Sequence, residues 1–272
     1  MPRADAGVDA RVVVARGVAV LAVLLVVLGL AASRLPGGED GTAAYVSPYD
    51  WEGLVLSGDR LALYEGDELL SQMGVDVSDH QGTIDWQAVA DDGIDFAFVR
   101  LGNRGYTQGE LYADDLAAEN LDGAADAGLS VGAYFFSQAT TVEEAVEEAR
   151  FALEVLDGRE LDLPIAFDHE TVASDSARAN DVSGDDLAAI ANAFCEVVEE
   201  AGYTAVVYGN ASDLARFDGT EALSKRAVWW AEYTTDAPSA QLDFALWQYS
   251  AEGQVDGIEG DVDLNLLLVD AL

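Results

Sequence analysis

Cysteine and lysine are almost missing from this 272-residue sequence: Cys195 and Lys225 are each the only one of their kind, and histidine occurs twice. One cysteine excludes an internal disulfide framework and any cysteine-rich zinc module, and His80 with His169 cannot build a three-histidine metal site. Positive charge is scarce too, with 13 Lys and Arg against 51 Asp and Glu and a net charge of −38 at pH 7. A chain this acidic lacks the cationic surface that phosphate backbones require, which excludes nucleic acid as a partner. What is present is apolar. Half of the residues are hydrophobic and 9% are aromatic, enough to bury a core in one large domain or two small ones.

Residues 17–33 form an uncharged, mostly aliphatic run preceded by Arg3, Arg11 and Arg16 and followed by Arg34. As a helix the run would span roughly 26 Å at ~1.5 Å per residue, short of the ~30 Å hydrocarbon core but workable with snorkelling arginines. Two readings stand: a single membrane anchor, or a signal peptide cleaved near the small residues 29–32. Both place the remainder outside the cytoplasm. That remainder is the acidic part, with nine basic residues against 49 acidic ones beyond residue 34. Such a charge keeps the chain soluble but repels anionic polymers and the compact state itself, and salt weakens both repulsions.

Residues 35–72 read as a linker and a small hairpin, with apolar patches at 54–56 and 61–64 split by Ser57-Gly58-Asp59. From residue 73 onward, short aliphatic runs alternate with segments of helical period. Strands are expected at 75–77, 96–101, 131–136, 164–169, 205–208, 228–233, 245–249 and 262–264. Helices are expected at 86–92, 111–127, 141–156 and 183–201. The last carries Leu187, Ile190, Ala191, Phe194, Val197, Val198 and Ala201 on one stripe, with a capping-box-like start at 183–186 and Gly202 as its stop. Cys195 beside that stripe reads as packing. Eight strands with helices mainly between the early ones predict an α/β fold, an irregular (β/α) barrel over residues 73–272.

Reactive groups of such a barrel sit at the C-terminal ends of its strands. Asp76, Asp168, Glu170 and Asp263 meet that description. Residues i and i+2 of a strand share a face, so Asp168 and Glu170 are expected to project together while His169 points away. Two crowded carboxylates repel, which raises the pKa of at least one and supplies a protonated acid beside an ionised partner, the requirement for cleaving a glycosidic bond. A solvated strand end and a bound divalent cation are the alternatives. Aromatic residues at strand ends suit a sugar: Tyr134 and Phe136, Trp229 and Tyr233, Trp247 and Tyr249. Trp86 reads as packing, and Ser78, Asp79 and His80 are adjacent in sequence without being a triad.

The run Gly74-Val75-Asp76-Val77-Ser78, followed by His80-Gln81-Gly82 and Ile84-Asp85-Trp86, resembles the opening of the family 25 glycoside hydrolases, the lysozymes that cut peptidoglycan. The resemblance continues through Phe96-Ala97-Phe98-Val99-Arg100, Val131-Gly132-Ala133-Tyr134-Phe135-Phe136, Leu163-Pro164, Asp168-His169-Glu170 and Trp229-Trp230-Ala231-Glu232-Tyr233. It closes with Ala245-Leu246-Trp247-Gln248-Tyr249-Ser250, Gly257-Ile258 and Val262-Asp263-Leu264-Asn265. It implies an N-acetylmuramidase on an irregular β/α barrel, acting on glycan strands without a cofactor and as a monomer. Glu170 would be the general acid, and Asp168 would stabilise positive charge or orient the N-acetyl group. Asp76 and Asp263 would tune the pair. Tyr134, Phe136, Tyr208, Trp229, Tyr233, Gln248 and Asn265 are the expected substrate-binding residues. His169 departs from an aliphatic or small residue, Phe135 from a frequent His, and no wall-binding repeats follow. The amino-terminal anchor would supply the missing attachment. A catalytically silent carbohydrate-binding protein of the same fold and a metal-dependent hydrolase are the rivals.

Overall fold

The computed structural model describes residues 45–272 apart from 218–222, 224, 234 and 270; the expected anchor or signal at 17–33 lies outside them. Among the described residues no helix is long and apolar enough to cross a membrane. Residues 45–272 make one compact unit.

The chain opens with β1 (Leu54–Ser57), β2 (Arg60–Glu65) and β3 (Glu68–Leu69), a small antiparallel sheet. Its first turn is the expected one: Ser57 pairs with Arg60, leaving Gly58 and Asp59 as a two-residue loop with Gly58 at φ +68°. The sheet is docked on the barrel. Trp51 stacks on Phe244 at 5.7 Å, and the Tyr249 hydroxyl donates to Asp59 O at 3.1 Å.

The barrel strands are β4 (Ser71–Val77), β5 (Phe96–Arg104), β7 (Ser130–Phe136), β8 (Ile165–Asp168), β9 (Ala205–Asn210), β10 (Val228–Ala231), β11 (Leu246–Gly253) and β12 (Val262–Leu268). Each follows its neighbour around the ring, and pairing of β4 with β5 closes it. Every expected strand is present. The helices are α1 (Trp86–Asp91), α2 (Ala117–Asp126), α3 (Val142–Leu156), α4 (Gly184–Glu200) and the short α5 (Ala211–Ala215). The structure departs from expectation in five places. The strand expected at 228–233 stops at Ala231, so Tyr233 lies beyond the sheet. Residues 111–113 form β6 (Leu111–Ala113), an edge strand antiparallel to β5, instead of the first turn of a helix. β8 stops at Asp168, so Glu170 lies beyond the sheet. The Ser183 side chain makes no capping bond. And β12 runs antiparallel to both neighbours, because the eight residues joining it to β11 are too few for a helical crossover.

Inside the ring a tight apolar floor lies under the open end. Phe96, Phe98, Ala166, Val206, Leu246 and Leu267 are all buried there. Two glycines make room for its rings: a Cβ on Gly74 would sit 2.1 Å from the Phe96 ring, and one on Gly132 would sit 2.6 Å from Phe98. Outside the ring, Phe135 packs against Phe151 and Phe194, so the residue that stands where the resemblance implies a frequent His faces helices and leaves the mouth untouched. Cys195 is wholly buried in the α4 stripe, its thiol pushed up to about 12 by burial, as packing requires. Trp86 is buried against Gly123.

Candidate active site

At the open end of the barrel lies a cavity of about 230 Å³. Its walls are Asp76, Arg100, Tyr134, Phe136, Asp168, Glu170, Tyr208, Trp229, Tyr233, Gln248 and Asp263. All four expected carboxyl residues are therefore brought together, with six of the seven expected binding residues. Strand alternation explains why. Asp76, Arg100, Tyr134, Phe136, Asp168, Tyr208 and Gln248 occupy inward positions near the C-terminal ends of parallel strands. Asp263 reaches the same rim by the opposite route, at the start of β12, and only the reversed direction of that strand puts it opposite Asp76.

Asn265 is the seventh expected binding residue, and it does not reach the cavity. It is completely buried behind the wall, where Nδ2 donates to Asp76 Oδ2 at 2.8 Å and Oδ1 accepts from Trp229 Nε1 at 2.9 Å. Trp247 and Tyr249 also lie elsewhere. Gln248 takes the inward position between them, so both rings face out, Trp247 edge-on to Trp51 and Tyr249 onto the hairpin.

A chain of hydrogen bonds fixes the cavity wall. The Tyr208 and Tyr233 hydroxyls both donate to Gln248 Oε1, at 2.8 and 2.5 Å, and Gln248 Nε2 donates to Asp76 Oδ2 at 2.8 Å. The Trp229 ring is held edge-on by Tyr134 at 6.4 Å and by Tyr208 at 5.1 Å. Arg100, which no motif marks for the site, is the sole cation in the wall among the described residues. Its Nε donates to Asp114 at 2.8 Å and Nη2 to Asp79 at 2.6 Å, a clamp that holds the guanidinium flat at the cavity edge. The Ser78-Asp79-His80 run serves that turn: the Ser78 hydroxyl accepts from His80 N at 3.2 Å, and His80 is exposed.

Electrostatically the cavity is two carboxyl pairs. Asp168 and Glu170 crowd one another, as do Asp76 and Asp263, and all four line the same cavity. Crowded, buried carboxyls favour keeping a proton, because each charge opposes the next. Burial is the main cause that raises all four. It holds Asp168 well above the carboxylate range, with Glu170's charge next, and pushes Glu170 up to about 7, with the charge of Asp213 next. Burial and then the charge of Asp76 push Asp263 up to about 8. Asp168 Oδ1 is buried and accepts no bond from the described residues.

His169 points away, as alternation predicts. Its Nε2 lies 3.0 Å from Ala139 O and its Nδ1 3.2 Å from Arg216 Nη2. Arg216 can only donate, so the ring is neutral with its proton on Nε2. Burial agrees, pushing the imidazole down to about 4.

The model of the Glycosyl hydrolases family 25 matches residues 75–258. Among curated proteins the chain is similar to the autolytic lysozyme of Clostridium acetobutylicum, 26% identical over 192 residues, which covers 71% of this chain and 54% of that protein. It is 30% identical over 207 residues to Lysozyme M1 of Streptomyces globisporus, covering 71% of this chain and 66% of that one. The chain thus spans about half to two thirds of the length of these relatives. Among solved structures, a bacterial lysozyme from Streptomyces coelicolor superposes with a TM-score of 0.62 at 29% identity, over 72% of this chain and 91% of that one.

Proposed function

The chain belongs to glycosyl hydrolases family 25, and from that premise we propose that it hydrolyses peptidoglycan, cutting the β-1,4 bond between N-acetylmuramic acid and N-acetylglucosamine. The observation that carries the proposal is the buried Asp168–Glu170 carboxyl pair in a cavity walled by Tyr134, Phe136, Tyr208, Trp229 and Tyr233. Aromatic faces suit the apolar faces of pyranose rings, and a carboxyl pair that keeps a proton at neutral pH suits a poor leaving group that must be protonated as it departs.

Glu170 is the general acid, giving its proton to the bridging oxygen as the bond from that oxygen to the anomeric carbon breaks, and water then supplies the hydroxyl at that carbon and restores the proton. Asp168, with one oxygen lacking a protein partner, takes the acetamido N–H of the muramic residue and stabilises positive charge at the anomeric carbon. Asp76 and Asp263, both raised by burial, favour keeping a proton, which limits the negative charge facing the reacting centre. Asn265 acts from behind by fixing Asp76 and Trp229 together. We assign residues 73–272 as the catalytic barrel and residues 35–72 as a linker and small hairpin, the hairpin strands at 54–69 being docked on the barrel. Residues 1–34 serve as anchor or signal, so the enzyme works outside the cytoplasm, as a monomer, on the polymer above the membrane.

The reading has a pH signature. A general acid raised to about 7 is competent below that value and lost above it. With purified peptidoglycan, log kcat/KM is expected to bend downward near pH 7 and then to fall about tenfold per pH unit. A rate that stays level to pH 9 would remove Glu170 from the acid's role.

A further inference from the structure

The backbone that carries Glu170 has left the sheet, so the peptides of residues 169–171 have no strand ladder to hold them. Side chains from other parts of the chain hold them instead. Arg216 Nη1 donates to His169 O at 3.1 Å, and Gln138 Nε2 donates to Glu170 O at 3.0 Å. On the far side of Glu170, Asp213 Oδ1 accepts from Thr171 N at 3.0 Å and from the Thr171 hydroxyl at 3.1 Å. Asp213 is itself immobilised. It is 1% exposed, its Oδ2 accepts from Asn210 Nδ2 at 2.5 Å, and Arg216 Nη1 lies 3.6 Å from its Oδ1. Asn210 also caps α5, its Oδ1 accepting from the backbone of Ser212 and Asp213.

We propose that Asp213 is a positioning residue for Glu170, acting through Thr171 and Arg216 to fix the peptide that bears the acid and placing a buried negative charge behind it. The inference rests on the reading of Glu170 as general acid. The charge of Asp213 opposes a second charge on Glu170, adding to the effect of burial. The other groups facing Glu170 are Asp168 on β8, Asp76 on β4, Asp263 on β12, Arg100 on β5, and the hydroxyls of Tyr208 and Tyr233. Asp213 differs from all of these in not lining the cavity, so it contributes without touching substrate.

Two variants of the full chain test this. Asp213→Asn removes the charge but opposes two amide donors at residues 210 and 213. The exchange Asn210→Asp with Asp213→Asn restores the donor–acceptor match and moves the charge across that hydrogen bond, to the side away from Thr171. In Asp213→Asn the alkaline limb of the pH–rate profile is expected to move down by about half a pH unit or more, with kcat at pH 7 lowered about three- to tenfold and KM within about twofold of the parent. The exchange variant is expected to regain thermal stability while its limb stays below that of the parent. A purely structural role would alter melting and leave the limb in place. If either folded variant keeps the parent's limb and kcat, the inference is overturned. A parallel Glu170→Gln variant separates the two claims: full activity there defeats the general-acid reading, whereas loss of activity there beside unchanged residue-213 variants defeats only the role of Asp213.

Discussion

Glu170→Gln is expected to slow peptidoglycan hydrolysis by about 10²–10⁴-fold, the range lost when a positioned general acid is removed. The substitution keeps the size of the side chain and the backbone bonds that hold it, including Gln138 Nε2 to Glu170 O. What it removes is the transferable proton. Substrate affinity should survive, because the aromatic wall and Gln248 are untouched. Rate of sugar release and polymer pull-down, measured on the same preparation, check both halves. A variant within about threefold of the parent's rate would show that another group protonates the leaving oxygen, with Asp263, pushed up to about 8, as the next donor to test.

The second large effect concerns stability, at an ion pair that supports the site from below. Arg104 and Glu148 are both buried, with Arg104 Nε donating to Glu148 Oε1 at 2.7 Å. Glu148 Oε2 accepts from the Ser137 hydroxyl at 2.6 Å, and its Oε1 accepts from Gln138 N at 3.3 Å. The pair therefore anchors the segment after β7 that supplies Gln138 to the Glu170 carbonyl. Replacing Arg104 by Met leaves a carboxylate buried without its cation, a change that costs about 3–5 kcal/mol, or roughly 6–20 °C of melting temperature at this size.

The pH dependence of that loss has a definite sign. Glu148 is pushed up to about 7 by burial even with Arg104 present, above its ordinary value, so the fold favours its protonated form. Stability from this group is therefore present in acid and lost as the pH rises towards 7. Without Arg104 the penalty deepens on the alkaline side. Melting of Arg104→Met should fall further below the parent at pH 8 than at pH 5, where Glu148 takes up a proton. Equal losses at both values would mean that the carboxyl is not the source of the instability.

Most of the barrel is legible in the sequence because its strands are buried on both faces. Runs such as 96–101 and 131–136 read as aliphatic or aromatic blocks wherever they fall. β6 was hidden because its three residues are half exposed and merge with the apolar positions of α2. The direction of β12 was hidden for another reason: a strand's own residues do not record its orientation, and only the short connection from β11 does. Asp263 lies at a strand's beginning, and reversal of that strand is what brings it opposite Asp76.

The cavity residues were legible through period 2 and through the acidic and aromatic residues at strand ends. Period 2 also shows where that reading failed. Trp247 and Tyr249 flank an inward Gln248, so once Gln248 faces the cavity they cannot. Asn265 lies inward but deeper, under Asp76 and Trp229, and depth along a barrel axis is set by stagger between strands that no local pattern reports. Asp213, Arg216 and Gln138 carry no motif at all. Their bearing on Glu170 exists only because β8 stops one residue short of the expected end and leaves a peptide for them to hold.

Mass analysis of the fragments released from purified peptidoglycan tests the central claim most directly. The account predicts products ending in reducing N-acetylmuramic acid, formed by the parent protein and absent with Glu170→Gln. Fragments ending in reducing N-acetylglucosamine, or products cut only in the peptide stems, would contradict the assigned bond and the role of the carboxyl pair.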